Sequence, residues 1–234
     1  MLEGVVESRR LLEIFLEQAR VIGKALHERN ERHKRLEAWQ EKQLVNFMGI
    51  LIISVSDLQR AHDEKKISTL GWVVRNLLEL SIWVDFCCGS DDSAKRFQDD
   101  AIRDMYGWSK AILGMYREKH AVEHKNLAKK MGDLEEFAKS RGLPTLEDDF
   151  KRVRDAAEDV GRGADFGPRY KLYSKFAHPT AWVVYSASSI EADEDFRDMF
   201  FIDGVDMAVT SLSRIRNRIL FSFPELRDQQ AGSG

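Results

Sequence analysis

Apolar residues recur at intervals of three, four or seven positions along most of this chain, a spacing typical of amphipathic α-helices. The clearest stripe lies in residues 2–34 and contains Val5, Leu12, Phe15, Leu16, Ala19, Ile22 and Leu26. A chain of 234 residues, 43% of them hydrophobic, is long enough to bury a substantial core. We therefore predict an all-α fold, a helical bundle with long N-terminal helices.

The domain organisation follows from the lack of linker-like sequence. The chain has only four prolines and no Gly/Ser-rich stretch, which argues against a flexible connection between domains. We predict an N-terminal helical extension at residues 1–66 packed on a helical bundle at residues 67–226. Residues 227–234 are predicted to be a disordered tail.

Start and stop signals divide the first half of the chain into four helices. The second helix is apolar and ends near His62, although the β-branched residues of 50–55 leave a buried strand as an alternative. A third, apolar helix runs from near Ser68 to Gly89. The fourth begins at the cap-like residues 90–92 and continues, with a break, to about Gly142.

In the second half of the chain, prolines mark several predicted helix boundaries. Residues 144–160 are predicted to contain a charged helix and residues 161–167 a loop. A helix with Pro168 in its first turn stops or kinks at Pro179, where another helix begins and covers residues 180–190. Asp203 is predicted to cap the last helix, which ends at Pro224.

Several features bear on the compartment. The longest apolar run, residues 44–55, is shorter than the roughly 20 residues of a membrane helix, so we predict core and no membrane span. The N-terminus lacks the basic start and cleavage site of a secretion signal, which favours the cytoplasm. The adjacent Cys87 and Cys88 have no disulfide or zinc spacing and are predicted to be reduced. No cofactor and no metal are predicted.

The helix that ends at His178 is the most function-like segment. Arg169, Tyr173, Ser174 and His178 can share one helical face. An imidazole beside Pro179 is well placed for proton transfer, and an arginine nearby can hold a phosphate. The alternative is structural, with His178 capping the helix and Tyr173 and Ser174 hydrogen-bonded in the core.

A second candidate pair is Arg75 and Glu79, four residues apart in the apolar third helix. Charges in such a helix must be paired or used in function. One interpretation is an internal ion pair that fixes the helix register, and the other is a functional site. The sequence leaves both open.

Short motifs around these residues resemble an uncharacterised family of bacterial all-helical domains. They are RNLLE at 75–79, Phe97 and Tyr106, and YSKFAHP at 173–179. That family in turn resembles the HEPN superfamily, whose ribonucleases are helical bundles, commonly dimeric, that cleave RNA without a metal. They use an arginine and a histidine separated by four to six residues. The resemblance covers roughly residues 68–190, and its motifs are short.

On this resemblance His178 matches the histidine, but the arginine spacing departs from the pattern. Arg169 lies eight intervening residues before His178, and the position with six intervening residues is Lys171. Arg75 would then supply the guanidinium from another helix. The resemblance implies that His178 acts as acid or base at a ribose 2′-hydroxyl, while Arg169 or Arg75 stabilises the charged phosphorane.

The remaining implied roles concern orientation and binding. Glu79 would orient the arginine, and Tyr173, Ser174 and Lys171 would bind substrate. The resemblance implies a homodimer that acts on RNA as a toxin or anti-phage effector. The alternative function is a non-catalytic helical module that binds a small ligand or, through its N-terminal helices, a partner protein. The network of Arg75, Glu79 and His178 would then be structural.

Two further patterns are weaker. His120, Glu123 and His124 fit the H-x-x-E-H pattern of zinc peptidases, but the surrounding charged stretch indicates a solvated helical face and not a catalytic zinc site. Basic side chains would follow a phosphate backbone if they converged, and are otherwise solvated faces. They are Lys125, Lys129, Lys130, Lys151, Arg152, Arg154, Arg214, Arg216 and Arg218.

Overall fold

The fold is all-α throughout the part of the chain that the structure describes. The structure is a computed structural model, and it describes residues 2–33, 39–115, 121–143, 145–147, 150–178, 180, 185–186, 189 and 193–222. Within these ranges every regular element is a helix, which confirms the predicted fold class. The predicted tail at 227–234 lies outside them.

Eight helices are described. They are α1 (Leu2–His33), α2 (Trp39–Asp63), α3 (Ile67–Gly89), α4 (Asp91–Met115), α5 (Ala121–Ser140), α6 (Val153–Asp159), α7 (Gly163–Ala177) and α8 (Glu194–Ser222). Residues 50–55 belong to α2, so the strand alternative is wrong. The bounds of α3 agree with the sequence prediction to within one residue. Ser90 caps α4 by accepting a 3.0 Å hydrogen bond from the amide of Ser93.

The chain divides into two compact units. The first contains residues 1–89 and 153–234, and the second contains residues 90–152. The first unit therefore holds α1 to α3 and α6 to α8, while the second holds α4 and α5. The predicted boundary between residues 66 and 67 falls between α2 and α3, within the first unit.

Helix α3 is the central element of the first unit. It packs against α2, α6, α7 and α8, which explains why its sequence is apolar almost all round. Two glycines allow close helix packing. A Cβ atom on Gly71 of α3 would lie 2.4 Å from the Cβ of Phe176 on α7, and one on Gly204 of α8 would lie 2.7 Å from Leu58 of α2. The Gly71 contact brings α7 against α3 one turn before Arg75.

Helix α2 also belongs to this core. Leu51, Val55 and Leu58 are fully buried, and the helix packs against α3 and α8. By length and composition alone, Gln43–Asp63 is apolar enough to cross a membrane, a test that a core helix passes as well. That this segment does not span a membrane stays a prediction.

The second unit is held together by carboxylates buried between α4 and the chain after α5. Asp99 forms ion pairs with Lys95 at 3.0 Å and with Arg141 at 3.2 Å. Asp100 pairs with the buried Arg103 at 2.8 Å. Because each buried carboxylate has a cationic donor, these charges are compensated structural groups.

Helix α7 begins earlier than predicted. The predicted loop at 161–167 is wrong from Gly163 onward, and Pro168 lies inside the helix and not in its first turn. Phe166 is buried and its ring packs on Tyr170 at a centroid distance of 5.1 Å. Packing of this aromatic side chain accounts for helix formation ahead of the proline, which local sequence signals did not indicate.

Helix α8 also begins earlier, at Glu194. The prediction that Asp203 caps it is wrong. Asp193 is the capping residue, because its carboxylate accepts a 3.0 Å hydrogen bond from the amide of Phe196. Asp203 lies within α8 and accepts a hydrogen bond from the Tyr173 hydroxyl. The charged segment at 144–160 yields only α6, and the helix predicted at 180–190 lies largely outside the described residues.

Candidate functional site

Three side chains surround the Arg75 guanidinium of α3, namely Glu79 of the same helix, Tyr170 of α7 and His178 directly after α7. Arg75 donates from Nε to Oε1 of Glu79 at 3.1 Å, from Nη2 to the Tyr170 hydroxyl at 2.8 Å, and from Nη1 to Nε2 of His178 at 3.0 Å. The guanidinium carbon lies 4.9 Å from the centroid of the Tyr170 ring. We call Arg75, Glu79, Tyr170 and His178 the Arg75 cluster.

The local sequence explains how each member is placed. Arg75 and Glu79 are one turn apart on α3, the spacing at which an ion pair forms along a helix. Helix α7 ends at Ala177, and His178 adopts an extended backbone with φ −126° and ψ 144°. This conformation is favoured in a residue that precedes proline. The predicted helix end before Pro179 is confirmed.

The hydrogen bonds assign roles to the nitrogens of the cluster. An arginine has only donors, so Nε2 of His178 must accept, and the proton of the neutral imidazole is then on Nδ1. Arg75 uses three of its five N–H groups in these bonds. The other two have no partner among the described residues.

The cluster is open to solvent. His178 is exposed, and the side chains of Arg75 and Glu79 keep 19% and 31% of their surface accessible. An arginine with unused donors beside an accessible imidazole can bind a phosphate group and transfer a proton.

Tyr173 is placed elsewhere. It is fully buried, packs edge-on against Phe200 at 5.4 Å, and donates its hydroxyl hydrogen bond to Asp203. Burial, and then the hydrogen bond to Asp203, raise the pKa of Tyr173 well above its usual value. The structure does not bring Tyr173 to the Arg75 cluster. Its position fits the structural alternative stated for it, a side chain hydrogen-bonded in the core.

Three other predicted residues of α7 also lie outside the cluster. Arg169 pairs with Asp165, one turn earlier, at 3.1 Å. Lys171 is exposed. The Ser174 hydroxyl is buried and has no hydrogen-bond partner within the described part of the chain. Of the seven predicted site residues, the structure thus joins three, namely Arg75, Glu79 and His178.

Sequence reasoning missed Tyr170. A signal was present, because Tyr170, Ser174 and His178 are spaced by four and four residues, and such residues lie on one helical face. Arg169 and Tyr173 lie on the adjacent face of the same helix. The choice between two neighbouring faces depends on which one packs against α3, and that is a tertiary property.

Comparison with known proteins places the cluster in a family. A model described as "Family of unknown function (DUF5677)" matches residues 67–197, more than half of the chain. The chain belongs to this family. The resemblance to an uncharacterised family is confirmed, and all four residues of the Arg75 cluster lie in the matched segment. No curated protein and no solved structure matches the chain.

A second arginine–histidine cluster lies outside the DUF5677 segment. Arg9 donates from Nη2 to Nδ1 of His62 at 3.2 Å, and Nε2 of His62 donates to Oδ1 of Asp198 at 3.2 Å. The ring of His62 packs on Phe201 with centroids 4.3 Å apart. We call Arg9, His62 and Asp198 the His62 cluster. Sequence analysis did not single it out.

Within the described residues, the H-x-x-E-H pattern and the basic stretches give no comparable site. His124 is exposed, while His120 and the Glu123 side chain lie outside the described residues. In the part of the chain that is described, no group of three or more His, Cys, Asp or Glu residues could hold a metal ion. Among the basic side chains, Arg154 pairs with Glu158 at 3.6 Å and Arg214 with Asp85 at 3.4 Å.

Proposed function

We propose that this protein binds RNA and cleaves it without a metal ion at the Arg75 cluster. The supporting observation is the 3.0 Å contact between Nη1 of Arg75 and Nε2 of His178 in a solvent-accessible position. An arginine and a histidine are the residues that HEPN-type ribonucleases use. In this chain the pair is formed between α3 and the end of α7, and not within one helix.

The chemistry assigned to His178 is proton transfer. Its Nε2 takes the proton of a ribose 2′-hydroxyl, and the 2′-oxygen attacks the neighbouring phosphorus. The bond from phosphorus to the 5′-oxygen breaks, and the leaving oxygen takes a proton from water. The products are a 2′,3′-cyclic phosphate and a 5′-hydroxyl, so atoms and charge balance.

Arg75 stabilises the charge that develops on the phosphate. Its two unused N–H groups donate to the non-bridging oxygens, and Nη1 turns from His178 to the substrate, which frees the lone pair of Nε2. Glu79 and Tyr170 hold Nε and Nη2 throughout, so the guanidinium is already oriented before substrate binds. Both are positioning residues in this mechanism.

The biological setting is proposed by analogy with the HEPN superfamily. We place the protein in the cytoplasm as a homodimer that acts as a toxin or an anti-phage effector. Cleavage of RNA is the part of this proposal that a direct experiment tests.

The experiment compares His178→Ala with His27→Ala, which removes an exposed histidine of α1. Labelled RNA is incubated with each purified protein in the presence of EDTA, and the ends of the products are identified. We expect wild type and His27→Ala to produce cyclic phosphate ends, and His178→Ala to be slower by about 10²-fold or more.

Circular dichroism and thermal melts accompany the assay. If His178→Ala cleaves RNA as fast as wild type, or if wild type does not cleave RNA, the proposed ribonuclease activity is wrong. If wild type is inactive and His178→Ala and Glu79→Ala each lower stability markedly, the cluster is structural and the non-catalytic module is the better account.

A further inference from the structure

An exposed tryptophan lies beside the Arg75 cluster. Trp72 keeps 50% of its surface accessible. Among the described residues it has no hydrogen bond, ring contact or cation–π partner. A large apolar ring in this position is available for a ligand.

Helix geometry places the ring next to the reacting groups. Trp72 precedes Arg75 by three residues and Glu79 by seven, so all three lie along one side of α3. Side chains three or four positions apart have Cβ atoms about 5–6 Å from each other. A molecule whose phosphate is held by Arg75 therefore has its adjoining groups within reach of Trp72.

A polar group lies on the same side of the helix. Asn76 follows Trp72 by four residues, is partly exposed, and its carboxamide has no hydrogen-bond partner in the described part of the chain. A carboxamide both donates and accepts hydrogen bonds. An aromatic face with such a group one turn away suits a nucleobase, which presents a flat ring and polar edges.

We propose that Trp72 stacks on an unpaired nucleobase next to the phosphate held by Arg75, so that the substrate is single-stranded RNA. This inference rests on the proposed function. Aromatic side chains bind single strands by stacking because every base has a π face. In a duplex the bases are already stacked on each other, and the Trp72 ring cannot reach their faces without opening the helix.

The test measures binding separately from cleavage. A labelled single-stranded RNA with 2′-O-methyl riboses lacks the attacking hydroxyl, and its binding is followed by fluorescence anisotropy. Trp72→Ala and Trp72→Phe are compared with Trp108→Ala, which removes a tryptophan of α4 that is 61% exposed. A duplex of the same sequence is the second ligand.

We expect Trp72→Ala to weaken single-strand binding by about 10-fold or more. Trp72→Phe, which keeps a smaller ring, should weaken single-strand binding less than Trp72→Ala does. The affinity of Trp108→Ala should stay within about twofold of the wild-type affinity. The duplex binds wild type more weakly than the single strand, and replacing Trp72 has little effect on duplex binding. Single-strand binding quenches tryptophan fluorescence in wild type and not in Trp72→Phe.

The outcomes separate this inference from the proposed function. Wild-type affinity in Trp72→Ala, alongside cleavage that depends on His178, overturns the stacking role and leaves the nuclease intact. Binding that depends on Trp72 without any cleavage supports the stacking role and overturns the enzyme. Wild type that binds no single-stranded RNA overturns both. If Trp72→Ala instead dissociates a dimer in sedimentation, a second copy occupies Trp72 and the stacking role is wrong.

Discussion

The Arg75 cluster and the His62 cluster each combine an arginine, a histidine and a carboxylate, but in opposite settings. His62 is only 8% exposed, and both of its ring nitrogens are hydrogen-bonded, one to Arg9 and one to Asp198. His178 is exposed, and Nε2 bonds to an arginine that has N–H groups to spare. The first arrangement is complete without a ligand, whereas the second offers donors and an imidazole to solvent.

Residue type alone therefore does not distinguish the two clusters, whereas burial and hydrogen-bond pairing do. A buried histidine with two partners contributes to stability, since its polar atoms must stay paired once they are removed from water. An exposed histidine beside an arginine contributes little to stability and remains available for chemistry. The following predictions test whether the two clusters divide in this way.

The largest expected contrast is between the two arginines. Arg75→Ala should lower the rate of RNA cleavage by about 10²–10³-fold, because the developing charge on the phosphate loses its stabilising donors. Arg75→Lys should also be slow, since one ammonium cannot hold Glu79, Tyr170 and the phosphate together. Arg9→Ala should cleave within about twofold of wild type while lowering the unfolding free energy by about 1–2 kcal/mol. Equal loss of cleavage in Arg75→Ala and Arg9→Ala would remove the distinction.

Replacing each of the two histidines should affect the stability of the protein differently. His62→Ala should lower the unfolding free energy by about 2–4 kcal/mol, because it leaves a cavity beside Phe201 and takes the partner from Asp198. His178→Ala should stay within about 0.5 kcal/mol of wild type, since its ring is exposed. Urea denaturation measures both. A loss in His178→Ala as large as that in His62→Ala would make the Arg75 cluster structural.

The smallest contrast concerns two tyrosines of α7. Tyr173→Phe should lower the unfolding free energy by about 1–2 kcal/mol, because the Asp203 carboxylate loses its donor, and Tyr170→Phe by about 0.5 kcal/mol or less.

The stability of wild type should also depend on alkaline pH. The pKa of Tyr173 is raised above its usual value by burial and by Asp203, so the folded state favours the neutral phenol. Its contribution is complete below a pH of about 10 and is lost as the pH rises further. Tyr173→Phe should lose less stability than wild type above that pH in denaturation curves. If the unfolding free energies of wild type and Tyr173→Phe fell equally with rising pH, the role given to Tyr173 would be wrong.

Much of the helical framework was predictable, because it depends on local patterns. The apolar run after Ser68 and the stop at Gly89 predicted α3 closely, and Pro179 predicted the end of α7. The starts of α7 and α8 were not predictable in this way. They depend on packing of Phe166 and on capping by Asp193, and other residues nearby carried equally strong local signals.

The candidate site was predictable in part for a related reason. The spacing of Arg75 and Glu79 and the position of His178 before a proline are local features, and each by itself indicated candidate site residues. The bond between Arg75 and His178 joins residues 103 positions apart, and nothing in the local sequence specifies it. For the same reason the sequence pattern predicted Tyr173, and not Tyr170, as a site residue.

That sequence separation has a consequence during synthesis. A ribosome adds about 5–20 residues per second. It therefore takes roughly 5–20 s to travel the 103 positions from Arg75 to His178. Throughout that interval the nascent chain carries the arginine without the histidine. Under the proposed function, a nascent chain therefore cannot cleave RNA before His178 has been added.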